Sequence, residues 1–292
     1  MSKRGWLAFA LLTCIWGSTW LVIKTQLGVV PPGWAVAWRF CLAALVMLGL
    51  CLVRGQSLRL PPGGHGFALL LALSQFILNF NLVYRANAYL TSGLVAVCFA
   101  LLIVPNTLGA ALLFGQRVSL RFIGGAALGI AGVGLLFAHD FAAPGADPAR
   151  IATGLALAIA GVLAASVGNV MQASPRGRAM PLDAGLAWGL TYGAIGNVTL
   201  AVLLAGPPVF DWRPGFIAGL LYLGVMASAV AFSLYYLLIR ELGPGRAAYN
   251  GVVVPVVAML LSTVFEGYHW TLVSLAGAGL ALAGLVVALR AR

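Results

Sequence analysis

Long apolar stretches alternate with short polar connections along the whole chain. A helix needs about 20 mostly apolar residues to cross a bilayer, and ten stretches approach or meet that length. They lie near residues 6–23, 34–53, 67–88, 93–114, 120–138, 151–171, 185–205, 215–239, 247–265 and 270–289. The pattern predicts an all-α integral membrane protein with ten transmembrane helices.

The connections between these stretches carry turn-forming residues. Prolines and glycines cluster at residues 31–33, 61–64 and 243–245, where they favour turns. All of the connections are too short to hold a soluble domain, so we expect one membrane domain.

The composition agrees with this class. Of 292 residues, 62% are hydrophobic and 8% are charged, and the mean hydropathy is +1.03. A soluble protein needs a more highly charged surface. The net charge of +11 does not indicate a nucleic-acid partner, because the basic residues are scattered. The four cysteines show no CxxC spacing, so we expect neither a metal site nor a disulfide framework.

The lysines and arginines predict the orientation in the membrane. Short loops rich in these residues stay in the cytoplasm. With the N-terminus inside, 12 of the 17 basic residues fall on the cytoplasmic side and the other five on the outer side. We therefore expect both termini in the cytoplasm and a multi-pass protein of the bacterial inner membrane.

The two halves of the chain resemble each other. Pro105 lies eleven residues before Gln116, and Pro255 lies eleven residues before Glu266. Each of these pairs is followed by two glycines seven residues apart, at 125 and 132 and again at 277 and 284.

Because each half has five helices, an odd number, the second half enters the membrane with opposite orientation. This is the inverted-repeat plan of many carriers, which place the substrate near the midplane between the halves. We expect repeats over residues 1–140 and 141–292.

The middle of every predicted span lacks Asp, Glu and Lys. Ionisable groups at that depth usually mark proton relays or ion pathways, so a carrier without them has no obvious proton carrier. A carrier of phosphorylated sugars would need fixed cations in its pathway. A carrier of organic cations would need a buried carboxylate. The sequence therefore favours a neutral or zwitterionic substrate that moves down its own gradient.

Uncharged polar and aromatic side chains within the spans are candidates for a substrate pocket. They are Trp16 and Trp20 in the first helix, Gln75, Asn79, Asn81 and Tyr84 in the third, Ser166, Asn169 and Gln172 in the sixth, and Tyr222, Ser233 and Tyr236 in the eighth. The alternative for the polar residues is interhelical hydrogen bonding, typically worth about 0.6 kcal/mol. The alternative for the tryptophans is packing.

Two arginines and two prolines have competing interpretations. Arg39 and Arg85 would pair with a substrate carboxylate, or they would reach the headgroups or a loop carbonyl, which is the more frequent arrangement. Pro105 and Pro255 each remove a backbone hydrogen bond. They would act as hinges during alternating access or form tolerated kinks.

Several short motifs together resemble a known family. They are Trp16-Gly17-Ser18, Arg39-Phe40, Pro105, Gly115-Gln116 and a glycine-rich fifth helix. The chain resembles the drug/metabolite transporter superfamily, in particular the EamA branch of ten-helix exporters and, within it, the YddG-type exporters of aromatic and other neutral amino acids. Many EamA relatives have Gly-Glu where this chain has Gly115-Gln116. That departure suggests that the position caps a helix and need not carry a proton.

We therefore expect a secondary carrier that exports neutral or zwitterionic amino acids by alternating access, with no cofactor. Its partners would be the amino acid and the lipid bilayer, and a monomer is one option. Another neutral metabolite or a drug-like amphiphile is the alternative substrate, and a channel or a structural subunit is a third class. An enzyme is disfavoured, because the three histidines lie in or beside loops without an acid at bilayer depth.

Overall fold

The computed structural model describes residues 3–142, 145–242 and 250–290, without the side chains of residues 3–5, 236, 237 and 239–242. Over this part of the chain the regular structure is entirely helical. The principal helices are α1 Lys3–Thr25, α2 Pro32–Val53, α3 Gly64–Tyr89, α4 Ser92–Phe114, α5 Leu120–Phe141, α6 Pro148–Ala173, α7 Leu182–Ala205, α8 at 214–242, α9 Asn250–Glu266 and α10 Leu272–Arg290.

The predicted membrane class is confirmed. Within the described residues, nine helices are long and apolar enough to cross a bilayer, and a shorter apolar helix, Asn250–Phe265, occupies most of the ninth predicted stretch. The start of that stretch, residues 247–249, lies outside the described residues. Large apolar side chains such as Leu112, Leu120 and Leu272 are more than four-fifths exposed. A surface of this kind is stable when lipid covers it.

Helices α3 and α8 contain π-helical segments at corresponding places. In α3 the segment is Ala72–Leu78, and in α8 it is Tyr222–Val230. Each begins eight residues after its helix starts, at Gly64 and Pro214 respectively. A π-helix bonds residue i to i+5 and is frequent at functional sites. Both segments therefore change the direction of the side chains that follow.

Helix α4 is interrupted at Leu101 and Leu102, between the helical pieces Ser92–Ala100 and Ile103–Phe114. The backbone there makes tighter bonds, from Leu101 N to Cys98 O and from Leu102 N to Phe99 O, both at 3.1 Å. The break lies before Pro105, which occupies the first turn of the second piece. A proline in a first turn removes no internal helix bond.

Helices α5 and α10 touch backbone to backbone along glycine-rich faces. A methyl group added to Gly125 would lie 2.5 Å from the backbone nitrogen of Ala288, and one added to Gly277 would lie 2.9 Å from the carbonyl oxygen of Gly132. Small residues permit such close approach in membrane helices. We call this contact between α5 and α10 the glycine seam.

Other contacts also join helices of the two halves. Helix α2 packs on α7, α3 packs on α6, and α8 packs on α1. The largest buried apolar cluster joins α1, α2, α3, α7 and α8. A space remains beside it, between the two halves.

Candidate substrate cavity

A cavity of about 210 Å³ lies between the two halves of the molecule. Within the described residues, eight of the ten principal helices contribute to its wall, and α5 and α7 do not. Substrate sites of small-molecule carriers lie between repeats at this kind of position. Its principal polar and aromatic lining residues are Trp16, Thr19, Trp20, Arg39, Gln75, Asn79, Phe80, Phe99, Asn106, Asn169, Phe232, Tyr235 and Asn250.

One part of the wall is aromatic. The ring of Trp16 packs against Tyr235 at 5.0 Å and against Phe232 at 5.7 Å between centroids. The ring of Trp20 packs against Phe99 at 4.9 Å. These contacts fix the rings and leave flat apolar faces, which suit an apolar or aromatic group on a ligand.

A second part of the wall carries side-chain amides whose oxygens have no hydrogen-bond partner in the described part of the chain: Gln75, Asn79, Asn106 and Asn250. The Nδ2 of Asn79 donates to the carbonyl oxygen of Gln75 at 3.3 Å. The Nδ2 of Asn250 donates to the hydroxyl of Thr13 at 2.7 Å. These bonds determine which amide atom is the oxygen. At Asn79 and Asn250 the unpaired atom is therefore an acceptor.

Arg39 lies inside the protein, with 1% of its surface exposed. Its Nε donates to the hydroxyl of Ser228 at 3.0 Å, and its guanidinium carbon lies 4.5 Å from the centre of the Phe80 ring. The expectation that Arg39 reaches the headgroups or a loop carbonyl is wrong. Arg85, in contrast, is exposed.

The π-helical segment of α8 positions the partner of Arg39. The hydroxyl of Ser228 donates to the carbonyl oxygen of Leu223, five residues earlier, at 2.9 Å. Its remaining lone pair accepts from Arg39, so this hydroxyl links α2 to α8.

At one end of the helix bundle an ion pair joins α1 and α9. The Nζ of Lys24 lies 2.9 Å from the Oε1 of Glu266 and donates to the carbonyl oxygen of Leu90 at 2.9 Å. Glu266 also accepts from the backbone N–H of Ser92 at 3.0 Å and from the Ser92 hydroxyl. We call these four residues the latch. The cavity extends toward the opposite end of α9, where Asn250 and Gly251 belong to its wall.

Five of the predicted pocket residues line the cavity: Trp16, Trp20, Gln75, Asn79 and Asn169. Two more are buried close to it. Tyr84 interacts with Arg39, and Ser166 follows the lining residue Ala165.

The remaining predicted pocket residues lie elsewhere. Asn81 donates to Asn197 of α7 at 2.6 Å, and the Tyr222 hydroxyl bonds Ser18 of α1 at 2.7 Å. Ser233 donates to the carbonyl oxygen of Ala229 at 2.8 Å. Gln172 is half-buried and is not among the lining residues. The Tyr236 side chain lies outside the described residues.

The two predicted hinges differ in position. Pro255 lies inside α9 and lines the cavity, whereas Pro105 follows the break in α4. Sequence reasoning did not identify Asn106 and Asn250. Asn106 lies inside the fourth predicted stretch and Asn250 lies near the start of the ninth, and an amide within an apolar span is the signal that would have pointed to them.

A family model described as the EamA-like transporter family matches the chain twice, over residues 3–138 and 152–290. One solved crystal structure is similar over 99% of this chain and 98% of its own, with a TM-score of 0.69 and 22% sequence identity. At that identity the likeness shows the fold.

Curated relatives cover most of the chain. The "Uncharacterized inner membrane transporter YedA" of Escherichia coli K12 is 30% identical, over 89% of this chain and 82% of its own. The "Probable amino-acid metabolite efflux pump" of Salmonella typhimurium is 28% identical, over 98% and 94%. "Protein PagO" of the same organism is 24% identical, over 89% and 84%.

Proposed function

The chain belongs to the EamA-like transporter family, and on that premise we propose that it is a secondary carrier exporting neutral or zwitterionic amino acids by alternating access. It is a multi-pass transporter of the inner membrane. The observation that carries the substrate proposal is the cavity wall, which combines fixed aromatic rings with unpaired amide oxygens.

The two family matches support an inverted repeat over residues 1–140 and 141–292. The paired π-helical segments in α3 and α8 and the reciprocal glycine seam support the same plan. With both termini in the cytoplasm, the latch lies on the outer side. The cavity then extends toward the cytoplasm, as loading for export requires.

One of the relatives is named as an inner membrane transporter and another as a probable amino-acid metabolite efflux pump. A rigid aromatic wall accommodates large neutral side chains, in keeping with the YddG-type resemblance. The cavity has no carboxylate among its described lining residues. A proton carried by a buried acid is therefore not part of the proposal, and the substrate would move down its own gradient.

The test is counterflow into proteoliposomes that contain the purified protein. Vesicles preloaded with unlabelled L-Phe should accumulate labelled L-Phe, with saturation, and L-Trp, L-Met and L-Thr should be tested in parallel. A preset pH gradient should change the rate little. Failure of all four amino acids would overturn the substrate class, while uptake without saturation or counterflow would indicate a channel.

A further inference from the structure

The guanidinium group of Arg39 is a buried charge without an acidic partner. Among the described residues, no carboxylate forms an ion pair with Arg39, and its Nη1 donates to no partner. A buried cation is strongly disfavoured unless it is paired and hydrogen-bonded. The position of Arg39 therefore requires an explanation beyond packing.

The bonds that Arg39 does make hold the guanidinium group in place. The Nε–H donates to the hydroxyl of Ser228, and the Phe80 ring lies against the guanidinium group. A guanidinium has five N–H donors in a planar fork that matches a carboxylate. With Nε already bonded, Nη1, which has no partner among the described residues, remains for a ligand in the cavity that Arg39 lines.

The same cavity offers acceptors that Arg39 does not use. The unpaired amide oxygens of Gln75, Asn79, Asn106 and Asn250 come from α3, α4 and α9. Each would accept from a cationic N–H donor. One cation and several neutral acceptors together complement a molecule that has one anionic and one cationic group.

We propose that Arg39 binds the carboxylate of an α-amino acid and that the amide oxygens of the wall accept from its ammonium group. This inference rests on the proposed function and assigns the role of each polar group. A dicarboxylate or a phosphate ester would lack a second cation among the described lining residues. An organic cation without a carboxylate would be repelled by the guanidinium.

The first experiment uses the wild-type protein and four probes that share a phenyl group. L-Phe has both charges, L-phenylalaninamide and phenethylamine lack the carboxylate, and 3-phenylpropionate lacks the ammonium. Each is tested as a competitor of labelled L-Phe counterflow. Loss of the carboxylate should weaken competition at least 30-fold, on the order expected for a charge-assisted bond. Loss of the ammonium should weaken competition by about tenfold.

The second experiment uses variants of Arg39. Arg39→Gln should raise the KM for L-Phe by at least 30-fold and change the competition by L-phenylalaninamide little. Arg39→Lys keeps the positive charge but loses the planar pair of N–H donors. Its KM for L-Phe should therefore lie between that of the wild type and that of Arg39→Gln. Arg85→Gln, which replaces an exposed arginine, is the matched control and should behave as wild type.

The possible outcomes separate this inference from the proposed function. If wild-type protein carries none of the tested amino acids, the proposed function fails. If it carries L-Phe but L-phenylalaninamide competes equally well, the carrier stands and the role of Arg39 is overturned. The probe series decides the matter even if Arg39→Gln does not fold, because it needs only wild-type protein.

Discussion

The latch and the cavity wall are two clusters of buried or half-buried polar groups, and they differ in how many of those groups have partners. In the latch, Glu266 accepts from Lys24 and from both donors of Ser92. In the cavity, by contrast, the side-chain oxygens of residues such as Asn79 and Asn250 have no partner within the described structure.

This difference separates two uses of polar groups inside a membrane protein. A satisfied network specifies one arrangement of the helices that it joins. An unsatisfied group costs free energy in the folded protein, and a ligand that satisfies it recovers that cost on binding. We expect substitutions in the latch to change which conformation the protein adopts and substitutions in the wall to change substrate affinity.

The largest predicted effect is that of Glu266→Gln. Removing the charge weakens bonds to Lys24 and Ser92 by about 2 kcal/mol, which corresponds to roughly 30-fold in an equilibrium. The latch end should open more often. The measurement is the rate at which an impermeant thiol reagent labels Ile23→Cys, a buried lining position, in protein whose native cysteines are replaced by alanine.

Asp183→Asn is the control for this variant. It removes an exposed ion pair with Arg54 at 3.9 Å, and such pairs contribute about 0–1 kcal/mol. Labelling of Ile23→Cys should then remain near the starting rate. Equal labelling in the Glu266→Gln and Asp183→Asn proteins would show that the latch does not hold that end closed.

The next effect is that of Asn250→Leu in the cavity wall. The substitution removes an unpaired amide oxygen and the bond that the Asn250 amide nitrogen donates to Thr13 at 2.7 Å, while Thr13 keeps its own bond to the carbonyl oxygen of Phe9. We predict a KM for L-Phe about tenfold higher and a Tm within a few degrees of wild type, because one interhelical bond of this kind contributes about 0.6 kcal/mol.

Asn81→Leu should show the reverse. Its amide donates to Ile77 and to Asn197, so the substitution should lower the Tm and leave the KM for L-Phe within about twofold. If Asn250→Leu and Asn81→Leu both change the KM, or both change only the Tm, the distinction between paired and unpaired amides is contradicted.

The smallest effect concerns the two prolines. Pro255 interrupts the bonding inside α9, whereas Pro105 stands in a first turn where no bond is missing. Pro255→Ala should reduce the rate of counterflow about threefold, because a straighter α9 bends less easily. Pro105→Ala should change that rate less than twofold. Unchanged rates in both proteins would contradict a hinge at Pro255.

The membrane fold was predictable because bilayer thickness imposes a length on each helix. The apolar stretches therefore gave every principal helix, and the glycines of α5 and α10 lie in the contact that their spacing indicates. Sequence did not predict the break at Leu101 or the π-helical segments. The break lies four residues before Pro105, at the position with which a proline ring clashes in a continuous helix, whereas the π-helical segments contain no proline.

The candidate site was less predictable than the fold. An α-helical repeat of about 100° per residue placed Tyr222 and Ser233 on one face. The π-helical segment between them turns by less per residue, so Tyr222 contacts α1 while Ser233 lies beside Met47 of α2. For Arg39, its position along the second apolar stretch indicated its depth in the membrane but not the direction in which its side chain points. The Ser228 and Phe80 contacts that hold it come from α8 and α3.

The glycine seam limits which parts of the molecule are free to rearrange. Where two helices meet through backbone atoms, even a small rotation of one against the other produces a steric overlap that no side-chain rotamer relieves. Helices α5 and α10 belong to different halves and would therefore travel together as one rigid body. A change of access would then come from the helices around the cavity rotating relative to the α5–α10 pair.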